Sequence, residues 1–137
     1  MNPGIYIPEG KTLTIDGNGT LNAAPNVNTQ NTWAAGIGGG YEAKNGNIVI
    51  MGGVINATGG EYAPGIGNSY NTNGGYIRIE GGRVNATGGR MCPGIGSGYI
   101  SNCYPVIITQ AAIVTAVAGE KDPTVLARVY IAGLRSL

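Results

Sequence analysis

The stretch Gly46-Asn47-Ile48-Val49-Ile50-Met51-Gly52-Gly53-Val54-Ile55-Asn56-Ala57-Thr58-Gly59-Gly60 returns 29 positions later, without a gap. The second copy reads Gly75-Tyr76-Ile77-Arg78-Ile79-Glu80-Gly81-Gly82-Arg83-Val84-Asn85-Ala86-Thr87-Gly88-Gly89. The same step carries Gly36-Ile37-Gly38 onto Gly65-Ile66-Gly67 and then onto Gly94-Ile95-Gly96. Self-similarity at a fixed period marks a stacked-repeat architecture. Within each unit the apolar residues alternate, as in Ile48, Ile50 and then Ile55, Ala57, which is the period-2 pattern of strands with one buried face. Paired glycines break these runs and supply the backbone freedom of sharp corners. Three short strands and three corners fill one repeat, so the unit reads as one coil of a right-handed parallel β-helix.

Outward from this stretch, a degenerate copy places Val106, Ile108 and Ile113 on the rows of Ile77, Ile79 and Val84. An earlier, looser copy contains Leu13, Ile15, Leu21 and Ala23, with a few extra residues between positions 24 and 32. The expected fold is therefore all-β, a short solenoid of about four coils of 29 residues. An antiparallel sandwich is the rival, but a sandwich needs no fixed repeat length, whereas a slip of one residue in stacked coils turns every later side chain to the wrong face. The coils are expected to occupy 1–118 and a capping segment, or the start of a following module, 119–137. The tail reads as strand, with a capping helix as the alternative, Asp122 at its N-cap and Pro123 at its first position. Met1-Asn2-Pro3-Gly4 runs into strand-like Ile5-Tyr6-Ile7 with no signal-peptide pattern, as in a piece excised from a longer secreted protein.

Composition narrows the chemistry. The chain has no His, which removes Ser-His-Asp and Cys-His relays and His metal sites. Two cysteines are too few for a usual zinc site. A net charge of +1 gives no electrostatic case for nucleic acid or an anionic membrane, and no apolar run is long enough to span a bilayer. Neither a metal nor a cofactor is expected. Gly36-Ile37-Gly38-Gly39-Gly40 lacks the following helix of a phosphate-binding loop and reads as a turn. Cleavage of a polysaccharide would need paired carboxylates or an acidic cluster. Glu61 shares its row with Thr32 and Arg90, and Glu80 with Met51 and Thr109, so no acidic column forms and an enzyme is not expected.

Units of the form Gly-x-Ile-x-Ile-x-Gly-Gly-x-Val-x-Ala-Thr-Gly-Gly followed by Ala-Pro-Gly-Ile-Gly resemble the glycine-rich β-helical repeats of large bacterial cell-surface proteins, adhesin-like or carbohydrate-binding. The lead-in from Ile5 to Gly17 is similar to the opening coil of such arrays. The resemblance covers residues 5–118. It implies an extracellular or cell-surface setting and a non-catalytic module that binds a polysaccharide or host glycan, or serves adhesion through a protein partner. A polysaccharide lyase or hydrolase and a purely structural stalk are the alternatives. Pairing of exposed coil edges between copies would give a homodimer.

Stepping by 29 converts isolated residues into columns. Tyr41, Tyr70 and Tyr99 form one, and Trp33, Tyr62 and Met91 a second. Exposed aromatics at strand spacing offer a flat strip on which sugar rings stack, and Asn71, Asn73, Asn68, Asn102 and Glu42 are polar neighbours. The competing reading packs these rings inside the solenoid. Arg78, with Arg83 and Arg90, suggests contact with an acidic sugar, or else a solvated edge of one coil. Asn22, Asn56 and Asn85 make a row ending at Val114, a structural ladder in which the Asn-Ala-Thr glycosylation matches are a by-product. Cys92 shares a row with Ala34 and Ala63, an inward site. A Cys92–Cys103 disulfide and a buried thiol are both open.

Overall fold

The computed structural model describes residues 2–26, 32–98, 100–102 and 105–119, together with the backbone of 128–129 and 134–135. Each coil contributes three strands, in the order β1 (Ile5–Tyr6), β2 (Thr12–Ile15), β3 (Thr20–Ala23) for the first and β4 (Ile37–Gly38), β5 (Asn47–Ile50), β6 (Val54–Thr58) for the second. The third has β7 (Ile66–Asn68), β8 (Ile77–Ile79), β9 (Arg83–Thr87), and the fourth β10 (Ile95–Ser97), β11 (Val106–Ile108), β12 (Ile113–Ala118). Equivalent strands of successive coils pair in parallel, so β1-β4-β7-β10, β2-β5-β8-β11 and β3-β6-β9-β12 are the three faces of a parallel β-solenoid.

Beyond the fourth coil, β13 (Arg128–Val129) adds antiparallel to β12 and β14 (Leu134–Arg135) adds parallel to β11. The described pieces of the tail are thus strands. Most of the expected 119–137 segment, including Asp122 and Pro123, lies outside the described residues, as do Tyr99 and Cys103.

Strand alternation sends one side chain in two into the axis, and the pairing aligns them into rows: Ile5-Ile37-Ile66-Ile95, Leu13-Ile48-Ile77-Val106, Ile15-Ile50-Ile79-Ile108, Leu21-Ile55-Val84-Val114 and Ala23-Ala57-Ala86-Ala116. Isoleucines of the middle coils are fully buried, and each stabilises the fold by about 1.5–3 kcal/mol. At the outer coils Ile5, Leu13, Ile15, Leu21, Ile108 and Val114 are only partly buried, having a neighbouring row member on one side alone.

The backbone of the alanine row fixes the glycines facing it. A Cβ on Gly65 would lie 2.7 Å from the Ala57 carbonyl oxygen, and one on Gly94 2.5 Å from that of Ala86, so positions 65 and 94 take glycine. The second glycine of each glycine-isoleucine-glycine unit is stricter still. Gly38, Gly67 and Gly96 have φ of 139°, 136° and 134°, and a Cβ on Gly67 would fall 1.9 Å from the Gly96 oxygen.

Two departures from an even step have local causes. In the first coil, pairing Ile5 with Ile37 and Thr12 with Asn47 shows a shortened β1–β2 corner partly offsetting the extra residues before β4. In the fourth coil the step from β9 is 30, since Ile113 pairs with Arg83 and Val114 with Val84. The expectation that Ile113 faces the core and Val114 ends the asparagine row is therefore corrected: Val114 packs inward, Ile113 is 55% exposed, and Thr115 pairs with Asn85. Gly82 and Gly53 turn their corners with positive φ, whereas Thr109-Gln110-Ala111-Ala112 has no glycine and takes one more residue, closed by Ala112 N donating to Thr109 O.

One corner has a polar interior. Asn45 and Asn68 are buried, with Nδ2 donating to the Gly46 and Asn102 carbonyls respectively. Both Oδ1 atoms converge where a Cβ on Gly74 would sit, at 2.3 Å and 1.6 Å. Glycine faces asparagine there because nothing larger fits.

Candidate functional site

The first sheet carries little on its outer side. Alternation turns Gly38 and Gly67 away from the core, yet both are buried. Trp33 precedes β4 and Tyr41 follows it, and with no side chain on the intervening outward position their rings meet at 6.0 Å, edge to face. Trp33 also stacks on Tyr62 at 4.4 Å and meets Tyr70 edge-on at 4.7 Å, while Tyr41 and Tyr70 stack at 5.2 Å with planes 8° apart. The four described rings of the two aromatic columns form one cluster rather than two separate strips.

Trp33 is its centre and is held from below. Ser69, fully buried beside Tyr70, donates through Oγ to the Trp33 carbonyl. Ser101 Oγ donates in turn to the Ser69 carbonyl and accepts from Thr72 N at 3.1 Å. This hydroxyl chain ties three successive coils together beneath the rings. Tyr41 and Tyr70 stack along the solenoid, and Trp33 stacks on Tyr62. Tyr41, first in its stack, is the most open of the four at 45% exposed. Met91 and Ile100, one repeat step beyond Tyr62 and Asn71, are 45% and 63% exposed.

The residue after each position of the 41, 70, 99 column is conformationally marked. Glu42, Asn71 and Ile100 have φ of 50°, 51° and 54°, the left-handed region, although none is glycine. Glu42 N donates to the Tyr70 carbonyl at 3.1 Å, and Asn71 Nδ2 donates to Glu42 Oε1 at 3.5 Å, so these polar groups sit beside the ring stack. The Glu42 carboxylate, with partial desolvation and Tyr70 contributing less, holds the Tyr41 phenol above the ordinary tyrosine value.

The remaining candidates are dispersed. Asn73 is exposed and bridges to Asn102 in the next coil. Arg78 stands on the outer face of β8 and pairs with Glu80 at 2.8 Å, while Arg83 opens β9 and Arg90 lies beyond its end; the three arginines therefore occupy different parts of the coil. Glu9 is paired with Lys44 at 3.3 Å. Among the described residues no three His, Cys, Asp or Glu side chains gather as a metal site. Cys92 is buried on the row of Ala34 and Ala63. The asparagine row is a hydrogen-bonded ladder, Asn85 Nδ2 to Asn56 Oδ1 at 2.9 Å and Asn56 Nδ2 to Asn22 Oδ1 at 2.8 Å, which engages the amide nitrogens of both glycosylation matches.

The columns were visible in the sequence; their merger around Trp33 and the left-handed run were not. The only signal for the latter is that positions 42, 71 and 100 each follow a tyrosine at the repeat step. Neither a curated protein nor a solved structure matches the chain. A family model described as a beta helix repeat matches residues 13–41, 48–70 and 77–99, more than half of the chain. With three parallel faces stacked in the same segments, the chain belongs to the beta helix repeat family.

Proposed function

We propose that this module is a non-catalytic binding scaffold of a secreted or cell-surface bacterial protein, and that it takes carbohydrate at the corner formed by Trp33, Tyr41, Tyr62 and Tyr70. The observation that carries this reading is the gathering of four aromatic rings, with Tyr41 nearly half exposed. Large amphipathic rings beside polar groups are what a pyranose needs, an apolar face for its C–H bonds and donors or acceptors for its hydroxyls. Glu42, Asn71 and the phenol hydroxyls provide the latter. A host or cell-surface polysaccharide is the expected ligand, with a protein partner as the other adhesive contact.

A degradative role is not favoured, because Glu80 and Glu9 are engaged by Arg78 and Lys44 rather than set against a second carboxylate. The test is affinity electrophoresis of the whole module through gels containing polysaccharides, with Tyr41→Ala as the variant. Retardation that is lost in Tyr41→Ala is the expected result. If no polysaccharide retards the module, the aromatic corner is a structural clamp and the solenoid a stalk.

A further inference from the structure

Among the described residues, glycine occupies the positive-φ positions 10, 17, 38, 53, 67, 82 and 96, and four other residues share that sign, Glu42, Asn71, Met91 and Ile100. Three of those four fall at the same place in consecutive coils, directly after positions 41, 70 and 99 of the tyrosine column. Glu42, Asn71 and Ile100 hold left-handed conformations, which asparagine tolerates best, which cost a glutamate more and a β-branched residue most. Such strain persists where the side chain itself is used. Glu42 and Asn71 are exposed, hydrogen-bonded to each other across adjacent coils, and directly follow the stacked Tyr41 and Tyr70.

We propose that Glu42 and Asn71 are the specificity-determining residues of the aromatic corner, and that they select an uncharged sugar with neighbouring hydroxyls over a uronic or sialic acid. This inference rests on the carbohydrate-binding reading. A carboxylate accepts two adjacent hydroxyl protons, and the Asn71 amide, already oriented by Glu42, adds an acceptor oxygen beside it. The same carboxylate repels an anionic sugar. Glu61, exposed next to Tyr62, adds a second carboxylate beside the rings, while the cation nearest Glu42 in the sequence, Lys44, is held by Glu9 at 3.3 Å and Arg78 by Glu80 at 2.8 Å.

The experiment measures retardation of the intact module by a neutral glucan, a neutral mannan and polygalacturonate at low ionic strength. It also compares Glu42→Gly and Asn71→Gly with the parent protein. Glycine relieves the left-handed strain, so both variants are expected to melt at the same temperature or higher, yet to bind the neutral polymer about tenfold more weakly, the loss of a hydrogen bond to a charged group. Polygalacturonate is expected to retard none of them. Binding that stays within twofold in both glycine variants, or parent retardation by polygalacturonate as strong as by the neutral polymers, overturns the specificity assignment alone. Failure of every polymer to retard the parent protein instead overturns the carbohydrate-binding reading on which it stands.

Discussion

Replacing Gly67 by alanine is the sharpest test of the stacked-coil geometry. The added Cβ would meet the Gly96 carbonyl oxygen at 1.9 Å, Gly96 C at 2.9 Å and Gly96 N at 3.2 Å, all of them backbone atoms of the next coil. The φ of 136° is open to glycine and closed to alanine. Relieving the contact requires β7 and β10 to separate by about 1 Å against a strand spacing of about 4.8 Å. That shift weakens the ladder bonds flanking Gly67, among them Ile66 N to Gly94 O at 3.0 Å and Gly98 N to Asn68 O at 2.8 Å. At about 1 kcal/mol for each weakened bond, plus 1–3 kcal/mol for the disallowed dihedral, the loss is about 3 kcal/mol or more. For a domain of this size the melting temperature should fall by roughly 10 °C. Gly19→Ala is the control, since its Cβ meets nothing within 4 Å and its φ is not positive, and it should melt with the parent or slightly above. Far-ultraviolet circular dichroism on heating reads both. Should Gly67→Ala melt within about 1 °C of the parent, the close parallel approach of β7 to β10 is wrong and the row assignments fall with it.

The core makes a graded prediction: Ile66→Ala, at a fully buried site in the third coil, should lower the urea unfolding free energy by about 2–5 kcal/mol, and Ile5→Ala, half-buried on the first coil, by markedly less. In the outer ladder, Asn56→Ala removes one accepted and one donated bond and should cost about 1–2 kcal/mol, against about half that for Asn22→Ala, which loses a single bond. Absorbance titration near 295 nm should show Tyr41 ionising above the ordinary tyrosine value, and Glu42→Gln should bring it down. Because the folded value is the higher one, the unfolded chain loses this proton first. The Tyr41 contribution to stability is therefore intact below the unfolded value near 10 and lost as pH rises through the folded one.

The three faces were legible because burial on one side of short strands leaves alternation in the sequence, and because stacking makes that alternation recur at one step. The slip at Ile113 was hidden for a physical reason. Ile113 and Val114 are both β-branched and apolar, and with the paired glycines replaced by Gln110-Ala111 nothing in the composition marks how many residues the corner consumes. The aromatic site was half legible. A column records which residues lie above one another, and says nothing of distance around the coil; only the bare outward positions of Gly38 and Gly67 let Trp33 reach Tyr41 and Tyr70 across a strand. The Ser69 to Trp33 bond joins a side chain to a backbone group one coil away, a contact that periodicity does not encode.

From β4 through β11 the pairing offset never changes: Ile37, Ile66 and Ile95 stand in one row and Ile48, Ile77 and Val106 in another. Unequal crossing-over between the two matching gene segments would add or delete a whole layer without disturbing its neighbours. Each gained layer would lengthen the rod by about 4.8 Å and extend the ring stack by one tyrosine, so contact area could be dosed by recombination rather than by point substitution.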